Sequence, residues 1–159
     1  MKKYFCLLLL VFIVASCTED VRFNTPAFQG LKNNVFWRAK SYSAYNRTGS
    51  FVIEGQLGAE IVTFRLPSRE PATYILGVDD IKTASCSNIF SNTSPEFTTG
   101  ANKGSGQIVI TEYDTQNQTV SGTFRFNAVN VTEGNPEKPS VTFTEGVFYK
   151  IPITPNLEY

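Results

Sequence analysis

The sequence predicts an all-β fold, namely a single antiparallel β-sandwich of about 8–10 strands over residues 35–159. Apolar and polar residues alternate through most of the chain after Val35, which is the period of strands with one buried face. Turn-forming residues divide these runs at short intervals. Aromatic residues make up 13% of the chain and charged residues only 18%, a composition typical of β-domains outside the cytoplasm.

The alternation also predicts the individual strands in order. The clearest runs are residues 51–57, 61–66, 73–76, 108–111, 119–128 and 141–153. Asp114–Asn117 separates two strong runs and is predicted to form a tight hairpin turn. Gly146 interrupts the last run and is predicted to mark a bulge where that strand bends.

Residues 79–105 are rich in Ser, Thr, Asn and Gly, and short strands are predicted near 84–90 and 96–98. Such a polar segment can carry the chain between two sheets, which favours the sandwich. A calycin or lipocalin-like closed barrel fits the same alternation and is the alternative fold. Its function would be to bind a small apolar ligand in an enclosed cavity lined by residues such as Phe51, Phe64, Phe124 and Phe126.

The N-terminus predicts the location of the protein. Lys2 and Lys3 precede an apolar run over 4–14, which indicates a secretory signal peptide over residues 1–16. Val14-Ala15-Ser16-Cys17 resembles a bacterial lipobox, in which Cys17 is lipidated and becomes the mature N-terminus. Residues 17–34 are then the lipidated terminus and a tether. We expect a lipid anchor in the outer membrane, with the domain at the cell surface or the periplasmic face.

Composition excludes several classes of function. The chain has 14 basic and 14 acidic residues, and loss of Lys2 and Lys3 with the signal leaves a net charge of −2, which argues against nucleic acid. The absence of His excludes Ser-His-Asp catalysis and His-based metal sites. We therefore expect no enzyme activity, no cofactor and no metal. Cys86, the one remaining thiol of the domain, is expected to be a small buried residue.

Two candidate sites follow from residue types. Tyr42 and Tyr45 are a candidate binding surface for a glycan or an envelope protein, because exposed aromatic rings bury large areas at small entropic cost. Trp37 is expected in the core. A carboxylate-dependent glycan hydrolase is the less favoured alternative, since it needs two carboxyl groups across one cleft. Its candidate carboxylates are Glu54, Glu112, Glu133 and Glu145.

Most of the mature chain resembles a known family. The block from Gly106 to Ala128, with its Tyr-Asp turn and Gly-Thr-Phe strand, and the later segment 144–153 resemble a family of uncharacterised Bacteroidota lipoproteins. Residues 35–39 are similar to the first strand of that family. The resemblance implies a lipidated β-domain of unknown function. It implies no activity and no functional residue.

Overall fold

The structure is a computed structural model that describes residues 25–90, 96–132 and 139–155. These residues form eleven strands, and no helix occurs among them. The strands are β1 Ala27–Lys32, β2 Val35–Arg38, β3 Ser41–Arg47, β4 Ser50–Leu57, β5 Glu60–Leu66, β6 Ala72–Leu76, β7 Thr83–Asn88, β8 Phe97–Thr98, β9 Ser105–Asp114, β10 Thr119–Asn130 and β11 Ser140–Pro152. The predicted all-β antiparallel class is confirmed.

Hydrogen bonds connect all of these strands into one curled sheet. One half has the order β2-β1-β11-β10-β9-β6 and the other has the order β8-β7-β5-β4-β3. The short pairing of β8 with the end of β10 joins the halves, and a parallel bridge between Ala44 and Ile153 brings β3 back against the end of β11. The molecule is thus a half-barrel whose two halves face each other as the layers of a sandwich do.

The first strand corrects the predicted domain boundary. Residues 17–34 were expected to be a tether, yet β1 occupies Ala27–Lys32 and pairs with both β11 and β2. Phe28 on this strand is 0% exposed and its ring contacts the core. Besides Ala27, the apolar side chains of β1 are Phe28 and Leu31. These are too few to show the alternation that predicts a strand.

The core is a solid cluster of aromatic rings held between the two halves. Phe64 from β5 lies 4.8 Å from Phe124 and 5.4 Å from Phe28, measured between ring centroids. Trp37 is 4% exposed and packs edge-on against Phe28 and Phe143, which confirms its predicted place in the core.

The rings proposed to line a cavity in the barrel alternative are themselves part of this packed cluster. Phe64, Phe124 and Phe126 contact one another, and Phe51 is buried in the same core. Because dispersion contacts fill the space between them, these positions do not enclose an apolar ligand.

The predicted turn and bulge are both present. The Asp114 carboxylate accepts hydrogen bonds from the backbone N–H groups of Gln116 and Asn117, so β9 and β10 form a tight hairpin. The pairing of β11 shifts register on both sides next to Gly146. A Cβ at Gly146 would lie 2.5 Å from the Phe124 ring, so the bend requires a residue without a side chain.

Strand directions define two ends of the molecule. The end where β1 finishes at Lys32 and β5 starts at Glu60 is called the distal end, and β7 also finishes there because Glu60 pairs with Asn88. The end where β1 starts is called the proximal end. The β9–β10 hairpin turn lies there, because Thr119 pairs with Pro152 and Ala27 pairs nearby with Tyr149.

Candidate functional site

The structure separates the two tyrosines predicted to share a surface. Tyr42 and Tyr45 are three positions apart on β3, so their side chains project from opposite faces of the strand. Tyr42 packs partly buried against the core, and its hydroxyl donates to the Pro26 carbonyl oxygen at 3.1 Å. The two rings therefore do not form one platform, since a flat binding surface needs both on one face.

Tyr45 lies on the outer face of β3 and has a polar environment there. Burial raises the pKa of the Tyr45 phenol, and the neighbouring Glu54 carboxylate raises it further. The Glu54 carboxylate also accepts a hydrogen bond from the Thr63 hydroxyl at 3.3 Å. Such a contact between side chains on neighbouring strands stabilises the pairing of those strands.

The carboxylates of the predicted hydrolase alternative lie on separate surfaces. Glu54 lines an open groove on β3–β5, whereas Glu145 lines another groove beside Phe124 and Gly146. Glu112 is exposed on β9, and Glu133 lies outside the described residues. These three described side chains do not converge on a common cleft.

A pocket at the distal end is the strongest candidate site. It has a volume of about 430 Å³, which is within the usual range for small-ligand sites. Its walls come from the ends of β1, β7 and β10 and the beginnings of β5, β8 and β11. We call it the distal pocket.

Polar side chains dominate the lining of the distal pocket. Three residues carry charge, Lys32, Glu60 and Glu96. Amide and hydroxyl groups come from Asn33, Ser87, Asn88, Asn130, Thr132 and Ser140. The apolar part consists of Cys86, Phe97 and Val141. This mixture supplies many hydrogen-bonding groups and little apolar surface, so it suits a polar ligand.

An ion pair stands at the wall of this pocket. The Lys32 ammonium contacts Oε2 of Glu60, which links the end of β1 to the start of β5. The other carboxylate oxygen, Glu60 Oε1, is buried and has no hydrogen-bond partner among the described residues. The Thr132 hydroxyl oxygen is also buried and has no hydrogen-bond partner among the described residues. Each such group carries a desolvation penalty of about 1–3 kcal/mol that a suitable donor would relieve.

Cys86 lies under the pocket and is chemically quiet. It is free, buried and 2% exposed, as predicted. Burial raises the pKa of the Cys86 thiol to about 12, with the Glu60 carboxylate as the second cause. A thiol with so high a pKa stays protonated near neutral pH and is a poor nucleophile or metal ligand.

Other acidic residues have structural tasks in turns. The Asp79 carboxylate contacts the Lys82 ammonium and accepts from the backbone N–H groups of Ile81 and Lys82, and these contacts lower its pKa. Asp80 accepts from the backbone N–H of Ala101 at 2.9 Å. Among residues 25–90, 96–132 and 139–155, no three Cys, Asp or Glu side chains are grouped to hold a metal ion.

Sequence reasoning missed the distal pocket. Glu60 and Asn88 are ordinary polar residues at strand ends, and Lys32 lies in the segment expected to be a tether. Lys32, Glu60 and Asn88 are 28 positions apart in turn and meet only because β1 and β7 finish where β5 begins. The alternation of residues along the chain does not predict that these three residues lie close together. Cys17 lies outside the described residues.

Comparison with known proteins gives one match. A family model described as "Domain of unknown function (DUF6252)" matches residues 24–152. No curated protein matches, and no solved structure matches. Within the described part of the chain, no helix has the length and hydropathy to cross a membrane.

Proposed function

The chain belongs to the family described as "Domain of unknown function (DUF6252)", and from that premise we propose that it is a lipid-anchored envelope protein with a non-enzymatic binding role. The anchor is a lipid on Cys17, and the membrane is the bacterial outer membrane. The family description assigns no activity, so the proposal rests on residues of this chain.

The distal pocket is the observation that carries the binding role. The pocket has a volume of about 430 Å³ and lies over a solid aromatic core. Polar groups from six strand ends surround it. Two of its polar atoms, on Glu60 and Thr132, are buried without a partner among the described residues. Buried polar groups are normally satisfied in native proteins, so an unsatisfied pair in one pocket supports a ligand there.

Binding without catalysis is supported by the state of the groups in this pocket. A glycosidase needs one carboxylic acid that donates a proton and a second carboxylate. Glu60 and Glu96 both line the pocket, but one oxygen of Glu60 is occupied by the Lys32 ammonium. Cys86 is protonated and buried, and the chain contains no His to serve as a general base. A glycan or an envelope protein remains the proposed partner.

Lipidation is tested by replacing Cys17. The signal-like residues 1–16 and the lipobox-like Val14-Ala15-Ser16-Cys17 support this part of the proposal. We expect wild-type cells grown with an alkyne fatty acid to label the protein and to retain it in membranes. Cys17→Ser should lose both properties, whereas Cys6→Ser should keep them. Labelling of Cys17→Ser would refute the anchor.

The leaflet is tested by protease treatment of intact cells. Mass spectrometry of the released peptides then reports whether residues 25–155 face the outside. Release from intact cells would support a surface location and external partners. Release only after lysis would support the periplasmic face. A periplasmic control protein must stay uncut in the intact cells.

A further inference from the structure

We propose that the distal pocket binds a saccharide that is uncharged or carries an amino group, through hydrogen bonds to Glu60 and Thr132 and a stacking contact with Phe90. This inference rests on the binding role proposed above and specifies its ligand. Three features support this ligand, namely the charge of the pocket, its unsatisfied atoms and an exposed aromatic residue close to it in the chain.

The charge of the pocket selects against anions. Lys32 contributes one positive charge, and Glu60 and Glu96 contribute two negative charges, so the lining is net negative by one. The Lys32 ammonium is already paired with Glu60. A phosphate, sulfate or uronic acid would face a carboxylate with no unpaired cation in the described lining to offset it. A neutral or cationic ligand meets no such repulsion.

The unsatisfied atoms select for a ligand with donors. Glu60 Oε1 can only accept, and the Thr132 hydroxyl can both donate and accept. Sugar hydroxyls are donors and acceptors, and an ammonium group is a donor that makes a stronger, charge-assisted bond to a carboxylate. Both oxygens are buried beneath the lining of the pocket, so a ligand must displace neighbouring side chains slightly to reach them.

An exposed aromatic residue follows the end of β7, close in the chain to the pocket lining. Phe90 is 83% exposed and follows two residues after Asn88, which lines the pocket. Its backbone N–H donates to the Asn88 side chain at 2.9 Å, and the N–H of Ile89 donates to the Ala59 carbonyl beside Glu60. These bonds fix the backbone of residues 89–90 beside Asn88 and Ala59, and Asn88 lines the pocket. An exposed ring at a polar pocket suits the apolar face of a sugar.

Other ligand classes fit less well. An apolar ligand would need the space that the Phe64 and Phe124 rings fill, since the pocket itself offers little apolar surface. A metal ion would need three or more grouped ligands, and the described residues contain no such group. Sugars of the cell's own envelope and sugars from outside share the chemistry proposed here.

The test is calorimetric titration of the full-length lipidated protein in a polyoxyethylene detergent, which carries no sugar. The probes are a glucosamine trimer, an N-acetylglucosamine trimer and a galacturonic acid trimer. We expect the affinity to decrease in that order, with the first probe at least about tenfold tighter than the last. Envelope polysaccharide from the producing cells and a glycan of external origin, both carrying amino sugars, then distinguish the two sources.

Variants connect the binding to the named groups. Phe90→Ala changes an exposed side chain and should leave the fold intact. It should lower the affinity for both glucosamine-based trimers at least about threefold. Thr132→Val should lower the affinity for both trimers at least about fivefold. Glu60→Gln should remove the preference for the trimer with free amines over the N-acetylated trimer. Glu112→Gln, at an exposed position on β9, is the matched control and should bind as wild type does.

Three results would overturn the saccharide site. The first is no measurable binding of any trimer by the wild type. The second is tightest binding of the acidic trimer, and the third is binding that is unchanged in Phe90→Ala and Thr132→Val. Circular dichroism confirms that each variant is folded. Fatty-acid labelling of Cys17 is independent of the pocket, so failure of the ligand assignment and failure of the anchor are separate outcomes.

Discussion

Cys86 lies on β7 with its thiol 2% exposed, and burial next to the Glu60 carboxylate raises its pKa to about 12. The native state therefore holds the thiol proton more tightly than the unfolded chain does, in which the pKa of the thiol has its ordinary value of 9.0. The contribution of this thiol to the free energy of unfolding is therefore fully present below pH 9 and decreases as the pH rises toward 12.

We predict that Cys86→Ala reduces this loss of stability at alkaline pH. Urea midpoints are compared at pH 8 and pH 10.5 in proteins in which Cys6 and Cys17 are already replaced by Ser. The parent should lose more stability between the two pH values than Cys86→Ala, because the alanine variant has no thiol to ionise on unfolding. Equal losses would show that the thiol is not held protonated by the fold.

Gly122 on β10 is the second residue whose surroundings make a sharp prediction. A Cβ at this position would lie 2.0 Å from the Val109 carbonyl oxygen and 2.4 Å from Cζ of Phe148. Gly122→Ala should therefore destabilise the protein by about 1–3 kcal/mol or more, because backbone or ring must move.

Gly58→Ala is the control for this substitution. At Gly58 a Cβ would meet nothing within 4 Å, and the cost is the positive φ of 60° alone, about 1 kcal/mol. Urea denaturation measures both variants. A Gly122→Ala protein that is as stable as Gly58→Ala would contradict the packing described here.

At the scale of elements, β1 decides where the folded domain begins. It pairs with β11 on one side and with β2 on the other, and it delivers Phe28 to the centre of the core. Loss of a buried Phe side chain alone costs about 3–5 kcal/mol, which is comparable with the whole stability of many domains.

We predict that a chain starting at residue 25 folds and that one starting at residue 35 does not. The longer chain should show strand-type circular dichroism and a cooperative thermal transition. The shorter chain lacks β1, so β2 and β11 lose their shared partner and the core is open. A cooperative transition in the shorter chain would show that the predicted tether boundary, and not β1, marks the domain.

At the scale of the whole molecule, the strand directions place the first described residues and the distal pocket at opposite ends. Pro26 lies at the proximal end, where its carbonyl accepts from Tyr42, whereas Lys32 lies at the distal pocket. The six residues of β1 separate the ends by about 20 Å. A lipid on Cys17 would therefore hold the domain by the end opposite the pocket, and the pocket would face away from the membrane.

We predict that this orientation is measurable in liposomes. A fluorophore on Thr115→Cys, in the proximal hairpin turn, should be quenched by lipid-borne quenchers more than one on Ala59→Cys, in the distal β4–β5 turn. The segment from Cys17 to residue 25 spans at most about 30 Å, so a lipid on Cys17 would keep the proximal end within that distance of the bilayer. Equal quenching would contradict the orientation.

The alternation of the chain by itself determined the all-β class, most of the strands, the Asp114 turn and the bulge at Gly146. Each depends on neighbouring residues, since the side-chain period of a strand and the chemistry of a turn are local. The same locality made Trp37 and Cys86 predictable as buried residues. Composition excluded His-based chemistry in the same direct way.

Only the tertiary structure decided which residues meet. It placed β1 in the sheet and filled the centre of the half-barrel with Phe rings. It also brought Lys32, Glu60 and Thr132 to one pocket. These outcomes depend on pairing between strands far apart in the chain, which is set by the packing of the whole core and is not visible in any local window.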